Sequence, residues 1–71
     1  MQKYLNLYNN SSIVGYDIKE ESISVCFNDN KVYTYSYAKA GKENVEIMKS
    51  LAKQGYGLNS YIMNNVRFMY D

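Results

Sequence analysis

The chain has 71 residues, of which 46% are hydrophobic and 21% charged, a balance that argues for one folded domain and against intrinsic disorder. A net charge of +1 is too small to mark a strong polyanion binder from totals alone, and a single cysteine with no histidine excludes an internal disulfide and the usual zinc or general-base partner. No stretch approaches the roughly 20 apolar residues of a membrane span, and the opening MQKYLNLYNN lacks the apolar run of a secretory leader, so the expected location is the cytoplasm.

A chain this short buries only about 60% of the surface that its unfolded form exposes. Its core must therefore be rich in large side chains, and nine tyrosines meet that need, since each aromatic ring covers roughly 150–250 Å². Charge is unevenly spread: residues 1–30 sum to −2 and residues 31–71 to +3. The abundance of Asn, Lys, Ile and Tyr points to an AT-rich genome, as in several bacteria and many of their phages.

In chain order, KYLNLY alternates, with Leu5 and Leu7 on one side, and is expected as a short edge strand before the interruption Asn9, Asn10, Ser11. Residues 12–18, SIVGYDI, put Val14, Tyr16 and Ile18 on one face, and Lys19 to Glu21 form a turn into ISVCF. There Ile23, Val25 and Phe27 alternate with Ser22, Ser24 and Cys26. VYTYSY, residues 32–37, follows after Asn28, Asp29 and Asn30, with a tyrosine at every second position.

The loop between these two strands decides where the tyrosines point, because a shift of one residue moves every side chain to the opposite face. A two-residue turn at Asp29 and Asn30 places them with Ser24 and Cys26. A three-residue loop with a left-handed Asn30 sets Val25 opposite Tyr33 and Ile23 opposite Tyr35. The second pattern is the more economical, since it gathers the apolar side chains on one face and leaves Ser22, Ser24, Thr34 and Ser36 on the other.

Residues 42–54, KENVEIMKSLAKQ, carry Val45, Ile47, Met48, Leu51 and Ala52 within one side of a helix that should lie across the sheet. Gly41 or Asn44 starts it, and Gly55 ends it as the left-handed residue. Lys42, Lys49 and Lys53 fall on the opposite face, which reads as a solvated surface. Beyond it, Leu58, Tyr61 and Ile62 suit a short second helical turn, and VRFMY a closing extended segment. The expected architecture is α+β: a small antiparallel sheet of three to four strands on one main helix, followed by that short turn, as a single domain over residues 1–71.

GYD at residues 15–17, the IxVxF pattern at 23–27, the turn Asn28 to Asn30, YTY at 33–35 and GYGLNSYI at 55–62 occur in an order and spacing that resemble the KTSC domain, named for the lysyl-tRNA synthetase C-terminus. The resemblance spans residues 10–70. It departs from the usual pattern in having Asp29-Asn30 at the central turn, no proline before the helix and a longer AKAGKEN loop. It implies a small α+β domain of bacterial proteins, with nucleic-acid binding as the implied role.

Chemistry for catalysis is sparse. The seven carboxylates show no convergent pair, and Gly55 and Gly57 lack the following lysine of a phosphate loop, so no enzymatic activity and no cofactor are expected. A binding module remains. For RNA or single-stranded nucleic acid, Tyr33, Tyr35 and Tyr37 supply stacking if the two-residue turn forms; otherwise Tyr56 and Tyr61, with Lys31 and Arg67, are the better candidates. Lys39 and Lys42 add positive charge to the same half. The alternative is a protein-interaction module, such as a small phage or mobile-element inhibitor that masks a larger host protein. A homodimer through Tyr4, Tyr8, Phe68, Met69 and Tyr70 would cover an open sheet face or edge.

Overall fold

The computed structural model describes all of residues 1–71. Four strands, β1 (Gln2–Lys3), β2 (Ile13–Lys19), β3 (Ser22–Phe27) and β4 (Val32–Ser36), form one antiparallel sheet in the order β1-β2-β3-β4. A single helical turn α1 (Tyr37–Ala40) leads into the main helix α2 (Lys42–Gln54). A second short helix, α3 (Leu58–Tyr61), runs on as a wider π turn over Ile62–Val66. The fold is the expected α+β arrangement.

Sequence alternation accounts for which face of the sheet is covered. Ile23 and Val25 on β3 and Tyr35 on β4 are 0%, 0% and 2% exposed, and they meet Val45, Met48 and Ala52 of α2 and Leu58, Ile62 and Val66 of the last helical stretch in one core. The opposite face carries small polar groups, with Ser24 and Thr34 joined through their hydroxyls at 2.8 Å. Leu58, Ile62 and Val66 recur every fourth residue, so they form one stripe on the core side.

Asn30 sets the register of the β3–β4 hairpin. Its φ of 68° is in the left-handed region, which Asn tolerates better than most residues. The Phe27 amide donates to the Lys31 carbonyl at 2.9 Å, the Asn30 amide donates to the Phe27 carbonyl at 2.9 Å, and the Asp29 side chain accepts the Lys31 amide at 3.1 Å. This three-residue loop pairs Val25 with Tyr33 and Ile23 with Tyr35. The economical reading of the sequence is the one the chain adopts.

Elsewhere local geometry overrides simple alternation. The β2–β3 register slips between Ile13 and Gly15, so Val14 is an inserted bulge residue pointing to solvent while Ile13 takes its place in the core. The first strand is cut to two residues, and the buried side chain near it is Tyr4; Leu5 and Leu7 are 59% and 58% exposed. Left-handed Asn6 turns the chain there, and its side-chain amide clasps the Ser11 backbone from both sides, at 2.9 and 3.1 Å.

Three further expectations are corrected. Tyr37 does not continue the β4 face, because the Ser36 hydroxyl accepts the Lys39 amide at 3.3 Å and starts α1 there. Lys49 does not share a solvated face with Lys42 and Lys53; its ammonium donates to the Glu20 carbonyl and to Glu46 Oε2, both at 2.8 Å, and the side chain is buried. VRFMY does not form an extended segment: Val66 closes the π turn, Arg67 and Phe68 form a turn, and the backbone is tied to the sheet at Asp71, which donates its amide to the Thr34 carbonyl at 2.7 Å. Gly55 ends α2 in the left-handed region, as its position predicted.

A candidate aromatic binding cleft

The inward register of β4 brings Tyr33 and Tyr35 to the same end of the core as the C-terminal segment. The Tyr33 ring lies 5.7 Å from Phe27, edge to face, and 4.8 Å from Tyr70, which also meets Tyr35 at 6.4 Å. Such aromatic contacts add about 0.5–1.5 kcal/mol each beyond area burial. The ring cluster thus fixes the C-terminal segment against the hairpin.

Between them opens a cleft of about 320 Å³, floored by Phe27, Tyr33, Tyr35 and Ile62 and walled by Met63, Arg67, Phe68 and Tyr70, with Ser12, Asn28 and Asp29 at the strand end. The size is at the lower end of ligand pockets. Its rim is apolar and accessible: Phe68 is 78% exposed, Met63 43% and Tyr70 40%. The Arg67 guanidinium lies 5.2 Å from the Phe68 ring, a cation–π contact on the surface of the cleft.

Charge in the cleft is sparse. Arg67 makes no ion pair; the salt bridge of this chain joins Lys49 to Glu46. Tyr35 is pushed up to about 12, first by burial and then by neighbouring Tyr33 and Tyr70, so its phenol stays protonated at neutral pH.

The residues nominated from the sequence divide into three places. Tyr33, Tyr35 and Arg67 line the cleft; Lys31 does not line it and is linked to it through its backbone amide, which donates to the cleft residue Asp29. Tyr37 lies on α1 and donates its hydroxyl to Glu46 at 2.5 Å; a Tyr37 pKa pushed up to about 12 reflects that bond first. Lys39 on α1 and Lys42 on α2 are exposed and line neither cleft.

Tyr56 packs edge-on against Tyr8 at 5.1 Å and lines a second, more polar cleft of about 260 Å³ with Asn10, Ser11, Gly57, Asn59 and Ser60. Tyr61 is half-buried and donates to Asn44 Oδ1 at 2.5 Å, tying α3 to α2. Phe27 and Met63 of the first cleft were not nominated as binding residues. Phe27 read as plain core from its alternation, and Met63 gave no signal. Tyr4, considered for self-association, is 2% exposed and accepts the Leu58 amide at 3.3 Å.

The fold and cleft define a small α+β domain with one aromatic recess, its rim carrying Phe, Met, Tyr and Arg. Compared with protein-family models, with curated proteins and with solved structures, the chain gives no match. No helix is long and apolar enough to cross a membrane.

Proposed function

We propose that this chain is a non-enzymatic binding module that uses the aromatic cleft to hold a segment of a larger protein partner. The observation that carries the reading is the composition of the accessible rim: Phe68, Met63, Tyr70 and Arg67 surround an apolar recess. Aromatic residues, Met and Arg are the types enriched in interface cores, whereas Lys is depleted there. Lys39 and Lys42 lie outside the cleft, and Lys49 is already engaged by Glu46. The positive half of the sequence therefore does not become a positive surface at the recess.

A second reading, single-stranded RNA or DNA, draws on one specific feature. Arg67 over the exposed Phe68 ring, beside Tyr33, offers a stacking surface with a cation for one phosphate. The KTSC resemblance supports that reading as well.

One experiment separates them. The ¹⁵N-labelled protein is titrated with peptides selected from a displayed random library, with short RNA and with short DNA, at low and raised salt. The proposal expects enriched peptides to carry a large apolar side chain and to shift the amides of Tyr33, Met63, Arg67 and Phe68, with Phe68→Ala abolishing the shifts. Oligonucleotide shifts at those residues that fade with salt would favour the second reading. Shifts confined to Tyr8, Tyr56 or the helices would overturn both.

A further inference from the structure

The aromatic cleft holds a projection, a recess and one charge of each sign. Phe68 is the most exposed large apolar side chain in the chain, at 78%, and it stands on the rim of the recess lined by Phe27, Tyr33, Ile62 and Tyr70. Arg67 and Asp29 line the same cleft, and neither is in an ion pair within the chain. Asp29 uses one carboxylate oxygen to accept the Lys31 amide, which leaves the other free. Lys31 is the remaining cation of that turn.

A surface with these four features is complementary to itself. Around a twofold axis each residue i that meets j is matched by j meeting i, so one knob–recess pair and one cation–anion pair are each formed twice. We infer that this cleft is the contact of a twofold homodimer, in which Phe68 of each copy enters the recess of the other and Arg67 meets the other copy's Asp29. The inference rests on the self-complementarity of the cleft and not on the ligand proposed above. In the dimer the recess is filled, so self-association and capture of another partner exclude one another.

The contact is small. Two inserted aromatic side chains bury about 300–500 Å² of their own surface and a comparable area of the recesses they enter, together still below the roughly 1,200–2,000 Å² of stable interfaces. The dimer is accordingly weak and concentration-dependent, and dilution frees the cleft.

Sedimentation equilibrium over a dilution series tests this on the whole chain. The expected result is a mass that rises from monomer to dimer with concentration, and Phe68→Ala weakening association by about tenfold or more, as for an interface anchor. Because Phe68 is so exposed, its truncation leaves the fold intact, which circular dichroism checks. Asp29→Asn keeps the acceptor for the Lys31 amide while removing the charge; it and Arg67→Gln should each weaken association, and the double variant should lose less than the two losses combined. Tyr8→Ala, at the second cleft, should change nothing. A monomer at every concentration, a dimer indifferent to Phe68→Ala, additive losses in the charge pair, or loss of the dimer in Tyr8→Ala would each overturn the inference. A monomer that still shifts its cleft amides with selected peptides would sink the dimer and leave the binding proposal standing.

Discussion

Truncating Tyr35 to alanine removes a ring that is 2% exposed, pairs across the hairpin with Ile23 and meets Tyr70 edge-on. Losing a buried aromatic side chain of this kind costs about 3–5 kcal/mol, the transfer and cavity terms together. A chain of 71 residues has a total stability of about 4–11 kcal/mol at ordinary values per residue. Tyr35→Ala should therefore leave the protein marginal or unfolded.

The neighbouring Thr34→Ala acts on the other face, where it removes one hydroxyl pair with Ser24, worth about 0.5–1.5 kcal/mol. Urea denaturation followed by circular dichroism measures both, with the slope compared to confirm that midpoints report stability. In melting temperature the Thr34 variant should fall by no more than about 12 °C, since 1 kcal/mol corresponds to roughly 4–8 °C in a domain of this size. Tyr35→Phe, which keeps the ring, should resemble the parent chain. Equal losses in the Tyr35→Ala and Thr34→Ala variants, or a larger loss at Thr34, would refute the inward placement of the tyrosines.

Three other outcomes follow from particular contacts. Gly55→Ala sets a Cβ at 2.9 Å from the Leu5 Cβ with φ at +91°, so it should cost at least about 1–2 kcal/mol by denaturation and shift the amide signals of Leu5 and Leu7. Glu46 is held below its ordinary value of 4.5 by hydrogen bonds from Lys49 and then Tyr37; its contribution is full above that ordinary value and is lost as pH falls through the lower folded value. Acid titration of Glu46→Gln should therefore show a flatter stability profile below pH 4.5 than the parent. At the other extreme, Tyr35 is raised from 10.0 to about 12, so folding favours its neutral phenol and this stabilisation, complete below pH 10, is lost as pH rises toward 12; tyrosinate absorbance in Tyr35→Phe should show an alkaline transition displaced upward or weakened.

Period-two alternation, turn chemistry and the helical stripe made the sheet, the hairpin register, α2 and its Gly55 terminus legible in the sequence. The register was readable because only one loop length put Tyr33 and Tyr35 with Val25 and Ile23, and because Asn30 could take the left-handed conformation that this loop requires. Where the reading failed, a single local bond outweighed the pattern. A bulge at Val14 exchanged its place with Ile13, Asn6 rotated Tyr4 inward in place of the leucines, and the Ser36 cap diverted Tyr37 into a helix.

Lys49 shows the limit in another way. Its spacing groups it with Lys42 and Lys53, and only the fold reveals that the Glu20 carbonyl and Glu46 lie close enough to receive its ammonium. The candidate cleft was half legible. Tyr33, Tyr35 and Arg67 were named from the sequence, but their meeting with Met63, Phe68 and Tyr70 depends on how α3 and the π turn deliver the last residues to the hairpin, a long-range placement that no local pattern encodes.

Everything proposed for the recess depends on the aromatic side chains of β4 meeting the C-terminal segment. Nuclear Overhauser contacts among assigned aromatic rings measure this directly: cross-peaks from Tyr33 to both Phe27 and Tyr70 are the result the structure requires. Contacts from Tyr33 and Tyr35 to Ser24 and Cys26, with Tyr70 free of both, would contradict it.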